Sequence, residues 1–83
     1  DEGYFNKLLI VPNPFTEIIT IETPNNSRDL NYLVFDMLGD VKLSGSVQSN
    51  NQSHINLKNL NTGIYFIRLS DGGSFVTRKI IKN

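Results

Sequence analysis

The sequence predicts an all-β domain, and three observations carry that reading. Helical periodicity is nearly absent over the 83 residues, seven short runs of β-branched and aromatic residues recur, and the breaks between them are made of Pro, Asn, Asp, Ser and Gly. Seven strands joined by hairpin-length connections fold best as two antiparallel sheets packed face to face, an immunoglobulin-like or fibronectin-like β-sandwich, with a barrel as the alternative.

The first run, Lys7–Val11, is stopped by Pro12-Asn13-Pro14, whose proline rings force Val11 and Asn13 out of the helical region. Phe15 then offers an apolar plug for one end of the sandwich. Glu17–Glu22 ends at Pro24-Asn25-Asn26-Ser27, and Leu30–Asp36 follows. That third run is apolar on both faces, Tyr32 and Val34 against Leu33 and Phe35, and so reads as a central strand. Leu38-Gly39 turns the chain into Asp40–Val47, where Val41 and Leu43 are expected on one face and Asp40, Lys42 and Ser44 on the other. Ser53–Leu57, after Ser49-Asn50-Asn51, alternates in the same way, Ile55 and Leu57 against His54 and Asn56. Asn59-Leu60-Asn61-Thr62-Gly63 leads into Ile64–Ser70, a second central strand with Tyr65, Ile67 and Leu69 against Ile64 and Phe66. Asp71-Gly72-Gly73 closes the last hairpin into Ser74–Ile81. The 11 Asn residues, mostly in the breaks, serve local side-chain to backbone bonding. Without Trp or Cys, Tyr65 and Phe35 are the expected large core anchors.

Eight basic and eight acidic side chains sum to zero, so the basic excess of a nucleic-acid-binding domain is missing, and no apolar run is long enough for a membrane-spanning helix. The absence of Cys excludes thiolate metal sites and thiol catalysis without specifying a compartment. Residues 1–83 read as a single domain, with 1–6 as a linker, cut from a longer protein. A total stability of about 4–12 kcal/mol is the scale for this length.

No catalyst and no cofactor site is expected. The single histidine, His54, lies next to Ser53, but strand neighbours face opposite sides and cannot form a nucleophile–base pair. Asp36 and Asp40 flank Met37-Leu38-Gly39, which a tight corner explains more simply than a carboxylate pair or a calcium site. Asp71-Gly72-Gly73-Ser74 lacks the lysine and following helix of a phosphate loop and reads as a hairpin tip. Asn25-Asn26-Ser27 and Asn51-Gln52-Ser53 match the N-glycosylation pattern, which arises by chance in Asn- and Ser-rich chains.

Four stretches remain: Pro12-Asn13-Pro14-Phe15; Phe35-Asp36-Met37-Leu38-Gly39; Ile55-Asn56-Leu57 with Leu60 and then Gly63-Ile64-Tyr65; and Lys79-Ile80-Ile81-Lys82. In this order and spacing the chain resembles the type A C-terminal sorting domains of the Bacteroidetes type IX secretion system. Two departures are visible, Asp40 where the family often has Arg or Lys, and Val11 where an aromatic is frequent. The resemblance implies a seven-stranded sandwich that carries an N-terminal passenger from the periplasm to the cell surface or beyond. Its implied partners are an outer-membrane barrel shuttle and a sortase that cleaves the domain from the passenger.

A signal spread from Pro12 to Lys82 needs a fold to gather it. The expected recognition surface is the last hairpin with its basic end, Arg78, Lys79, Ile80, Ile81 and Lys82, which could extend a partner's sheet and steer toward an acidic one. Pro12, Asn13, Pro14, Phe15, Asp36, Gly39, Gly63 and Tyr65 are expected to be structural, Gly63 as a turn glycine and Tyr65 as a core aromatic. The competing reading is an extracellular accessory or carbohydrate-binding module. It would display a row of exposed aromatics, and Tyr4, Phe5, Tyr32, Phe35 and Phe66 are not expected to line up on one face.

Overall fold

The computed structural model describes residues 7–23, 28–48 and 52–83. Both glycosylation-like triplets, through Asn25–Ser27 and Asn51, and the linker at 1–6 fall outside those residues, in whole or in part. Seven strands form: β1 Leu9–Val11, β2 Ile18–Glu22, β3 Leu30–Asp36, β4 Val41–Val47, β5 Gln52–Asn56, β6 Gly63–Ser70 and β7 Phe75–Lys82. They build a three-stranded sheet, β1-β2-β5, and a four-stranded sheet, β4-β3-β6-β7, every strand pair antiparallel. The predicted sandwich is the observed fold, and the two doubly apolar runs, β3 and β6, are the central strands of the larger sheet.

Period-two patterning explains which side chains meet between the sheets. Ile19, Ile21, Ile55 and Leu57 come from the smaller sheet and Leu30, Val34, Val47, Tyr65, Ile67, Leu69 and Ile80 from the larger, all buried. Phe15 closes one end at 0% exposure, as the plug reading expects. Tyr65 is buried too, its hydroxyl donating to the Asn61 carbonyl at 2.8 Å.

Phe35 is not a core anchor. It follows Val34, which faces inward, so alternation turns it to the outer face of the larger sheet, where its ring stacks on Phe66 at 5.7 Å. Val41 and Leu43 do not share a face either. A register shift between Val34 and Phe35 pairs Val34 with Leu43 but Phe35 with Val41, leaving Lys42 as the extra residue of a bulge. Val41 is therefore exposed on the outer face while Leu43 packs against the core.

Candidate functional site

Register brings the four sequence stretches to one pole of the sandwich. Asp36, at the end of β3, pairs with Tyr65 near the start of β6, and Tyr65 pairs with Ile80 near the end of β7. Phe15, just before β2, bridges to Lys82, and the Leu57 N–H donates to the Glu17 carbonyl at 2.6 Å, which adds the end of β5. The opposite pole holds the Asp71–Ser74 tip and the start of β1, since Leu9 pairs with Glu22, the last residue of β2. The eight residues of β6 separate the two poles by about 25 Å at the usual rise per residue.

Each stretch has a definite task at this pole. Asn13 inserts its amide between two backbone groups of β7, Nδ2 donating to the Lys79 carbonyl and Oδ1 accepting the Ile81 N–H, both at 2.9 Å. A carbonyl only accepts and an N–H only donates, so the partners themselves fix which way the amide points. Phe15 continues the contact: its N–H donates to the Ile81 carbonyl at 2.8 Å and its carbonyl accepts the Asn83 N–H at 2.9 Å. Residues 13–15 thus lie as a short strap along the outer edge of β7, parallel to it. The exposed rings of Pro12 and Pro14 flank Asn13, and both X-Pro bonds are cis.

Asp36 staples the β3–β4 corner. Its Oδ1 accepts the Leu38 N–H at 2.9 Å and the Asp40 N–H at 3.0 Å, and Lys42 Nζ lies 3.6 Å from Oδ2. Desolvation works to raise the Asp36 pKa, but the hydrogen bonds from Asp40 and Leu38 and the charge of Lys42 together hold it below the usual carboxylate value. A carboxylate held this way braces the β3–β4 corner. Gly39, at φ 89°, supplies the left-handed residue that the corner needs, and Gly63, at φ 155°, turns the chain into β6.

The basic end is a different matter. Ile80 is fully buried and is a core residue, so it cannot contact a partner of the folded domain. Alternation about Ile80 places Arg78 and Lys82 on its face of β7 and Lys79 and Ile81 on the opposite one. Arg78, Lys79 and Lys82 therefore do not form one charged surface: Lys79 is exposed, whereas Arg78 and Lys82 are half-buried.

Two residues passed over in the sequence are prominent here. Met37 and Leu38, at the tip of the Asp36 corner, are 69% and 87% exposed. The available signal was two large apolar side chains inside a tight turn, where neither can reach a core. On the outer face of the larger sheet, Val41, Phe35 and Phe66 pair in a row across three strands. The Phe rings stack on each other, and the Arg68 guanidinium lies 5.8 Å from the Phe35 centroid and 4.9 Å from that of Phe75. Phe35 and Phe66 turn their faces to one another and do not present a flat row for sugar rings. His54 is exposed and shares a hydrogen bond with the cross-strand Thr20 hydroxyl at 2.9 Å, not with Ser53.

Against known families, residues 9–83 match the family model described as the secretion system C-terminal sorting domain. Comparison with curated proteins returned no match.

Proposed function

Because the chain belongs to the family of type IX secretion system C-terminal sorting domains, we propose that it delivers an N-terminal passenger across the outer membrane, where a sortase removes it. It acts there as signal and substrate, with the catalysis supplied by the sortase. The barrel shuttle would meet it on the periplasmic side, before release at the cell surface or beyond.

One observation supports this reading above the others. The four stretches, far apart in the chain, converge on one pole, while β1 begins at the other. β1 begins about 25 Å from that pole, the length of β6. The exposed apolar side chains at that pole are Met37 and Leu38 on the corner stapled by Asp36, and Pro12 and Pro14 on either side of Asn13. Exposed apolar side chains on a rigid corner suit a docking contact, and they contribute little to the fold.

The experiment is export of a periplasmic reporter fused to residues 1–83, with Met37→Ser and Leu38→Ser introduced together. Export is expected to fall while the melting temperature of the isolated domain stays unchanged. Unchanged export would remove the corner from the recognition surface. Export of a reporter lacking residues 7–83 would overturn the sorting function altogether.

A further inference from the structure

We infer that the open half of the β7 edge, Phe75–Lys79, receives an acidic extended segment of the secretion machinery as an added strand. The inference rests on the sorting function proposed above and adds the binding mode and the chemistry of the partner.

The backbone pattern defines where such a strand fits. Ile81 turns both its N–H and its carbonyl to the outer edge, where Asn13 and Phe15 take them. Alternation then turns the N–H and carbonyl of Phe75 and Thr77, and the N–H of Lys79, to the same side. No partner for these groups is found among the described residues. The strap covers the edge from the Lys79 carbonyl to the Asn83 N–H and ends there. An added strand would therefore begin where the strap stops, next to the motif pole, and run toward Phe75. The edge of β4 is less suited, because the bulge at Lys42 interrupts its register.

The side chains beside the open edge select the partner. On the outer face Phe75 is 62% exposed with Arg68 over its ring, and Thr77 pairs with Arg68 and Lys79 with Phe66. No acidic residue occurs from Phe75 to Asn83. A segment with a carboxylate toward Lys79 and Arg68 and an apolar side chain over Phe75 matches this surface in charge and shape. A second copy of the domain would instead bring two basic edges together.

Thr77→Pro is the direct test. The Thr77 N–H faces away from β6, so proline there removes an edge donor and leaves the β6–β7 ladder intact. In the reporter fusion, Thr77→Pro is expected to reduce export about tenfold, the scale of one main-chain hydrogen bond with its steric block, while Thr77→Val exports like the parent. Arg68→Glu with Lys79→Glu, which keeps every backbone group, is expected to reduce export as well. If Thr77→Pro melts with the parent and is exported like it, the added strand is wrong. Should Thr77→Pro fail to fold, normal export of the double charge variant overturns the acidic partner. Concentration-dependent dimerisation of the parent domain, lost in Thr77→Pro, would identify a second copy as the occupant and also overturn it. Loss of export on deleting residues 7–83, together with normal export of these variants, separates failure of this inference from failure of the sorting function.

Discussion

Asn13→Ala removes both hydrogen bonds that tie the strap to β7. Each is worth about 1 kcal/mol net. Because the Lys79 carbonyl and Ile81 N–H then meet water and not an apolar wall, the pair should cost about 1–2 kcal/mol. Against a total of about 4–12 kcal/mol that is a measurable fraction. Asn13→Asp separates the two bonds. Its carboxylate still accepts the Ile81 N–H, but its second oxygen faces the Lys79 carbonyl, acceptor against acceptor, until a proton is added. That contact raises the folded pKa of the new Asp above its unfolded value of about 3.9. The protonated form can donate to Lys79, so the stability of Asn13→Asp relative to the parent is greatest below the unfolded pKa and is lost as pH rises through the folded pKa. Urea unfolding of parent, Asn13→Ala and Asn13→Asp at pH 3.5 and pH 7, with amide exchange followed at Ile81, reads both effects. A loss under about 0.3 kcal/mol for Asn13→Ala, below the range for even one such bond, would refute the strap as a stabilising contact. So would a parent-to-Asp difference independent of pH.

Phe15→Ala empties a fully buried position and should cost about 3–5 kcal/mol, enough to threaten the fold, and Tyr65→Ala falls in the same range. Phe35→Ala, on the outer face, should cost markedly less, and equal losses in chemical denaturation would contradict the assignment of faces. Asp71 has its pKa lowered to about 2, first by the N–H groups of Gly73 and Ser74 and then by Arg28, which ion-pairs with it. A depressed carboxylate stabilises the fold above its unfolded pKa, and this contribution is lost as pH falls from about 4 to about 2. The stability difference between parent and Asp71→Asn should shrink over that window; parallel acid-unfolding curves would contradict the role of the tip.

Much of the fold was legible because its signals are local. Pro12, Pro14, Gly39 and Asp71 act through their own backbone or that of residues a few positions away, and each marked a chain reversal within a residue or two of its observed position. Doubly apolar β3 and β6 announced central strands, and they hold the middle of the larger sheet although their outer face is not covered, where Leu33 and Ile64 remain exposed. The errors share one cause. Phe35 and Tyr65 look alike as large aromatics in apolar runs, yet strand register sends one out and the other in. The bulge at Lys42 separates Val41 from Leu43, and a one-residue slip exchanges faces. Arg78, Lys79 and Lys82 look like one basic cluster in one dimension and divide between two faces in three.

Composition and local chemistry were enough to specify an all-β sandwich of seven strands, its turns, and a set of four stretches too widely spaced to act as a linear signal. Their meeting at one pole depended on long-range pairing, which no local preference encodes. Asn13 finds Lys79 and Ile81 from 66 and 68 residues away because β1 and β2 leave the strap at the corner between the sheets, beside β7. The same pairing distinguishes the covered half of the β7 edge from the open one. Every strand carries identical backbone donors and acceptors, so which of them remain available to a partner depends on what the rest of the chain has already covered.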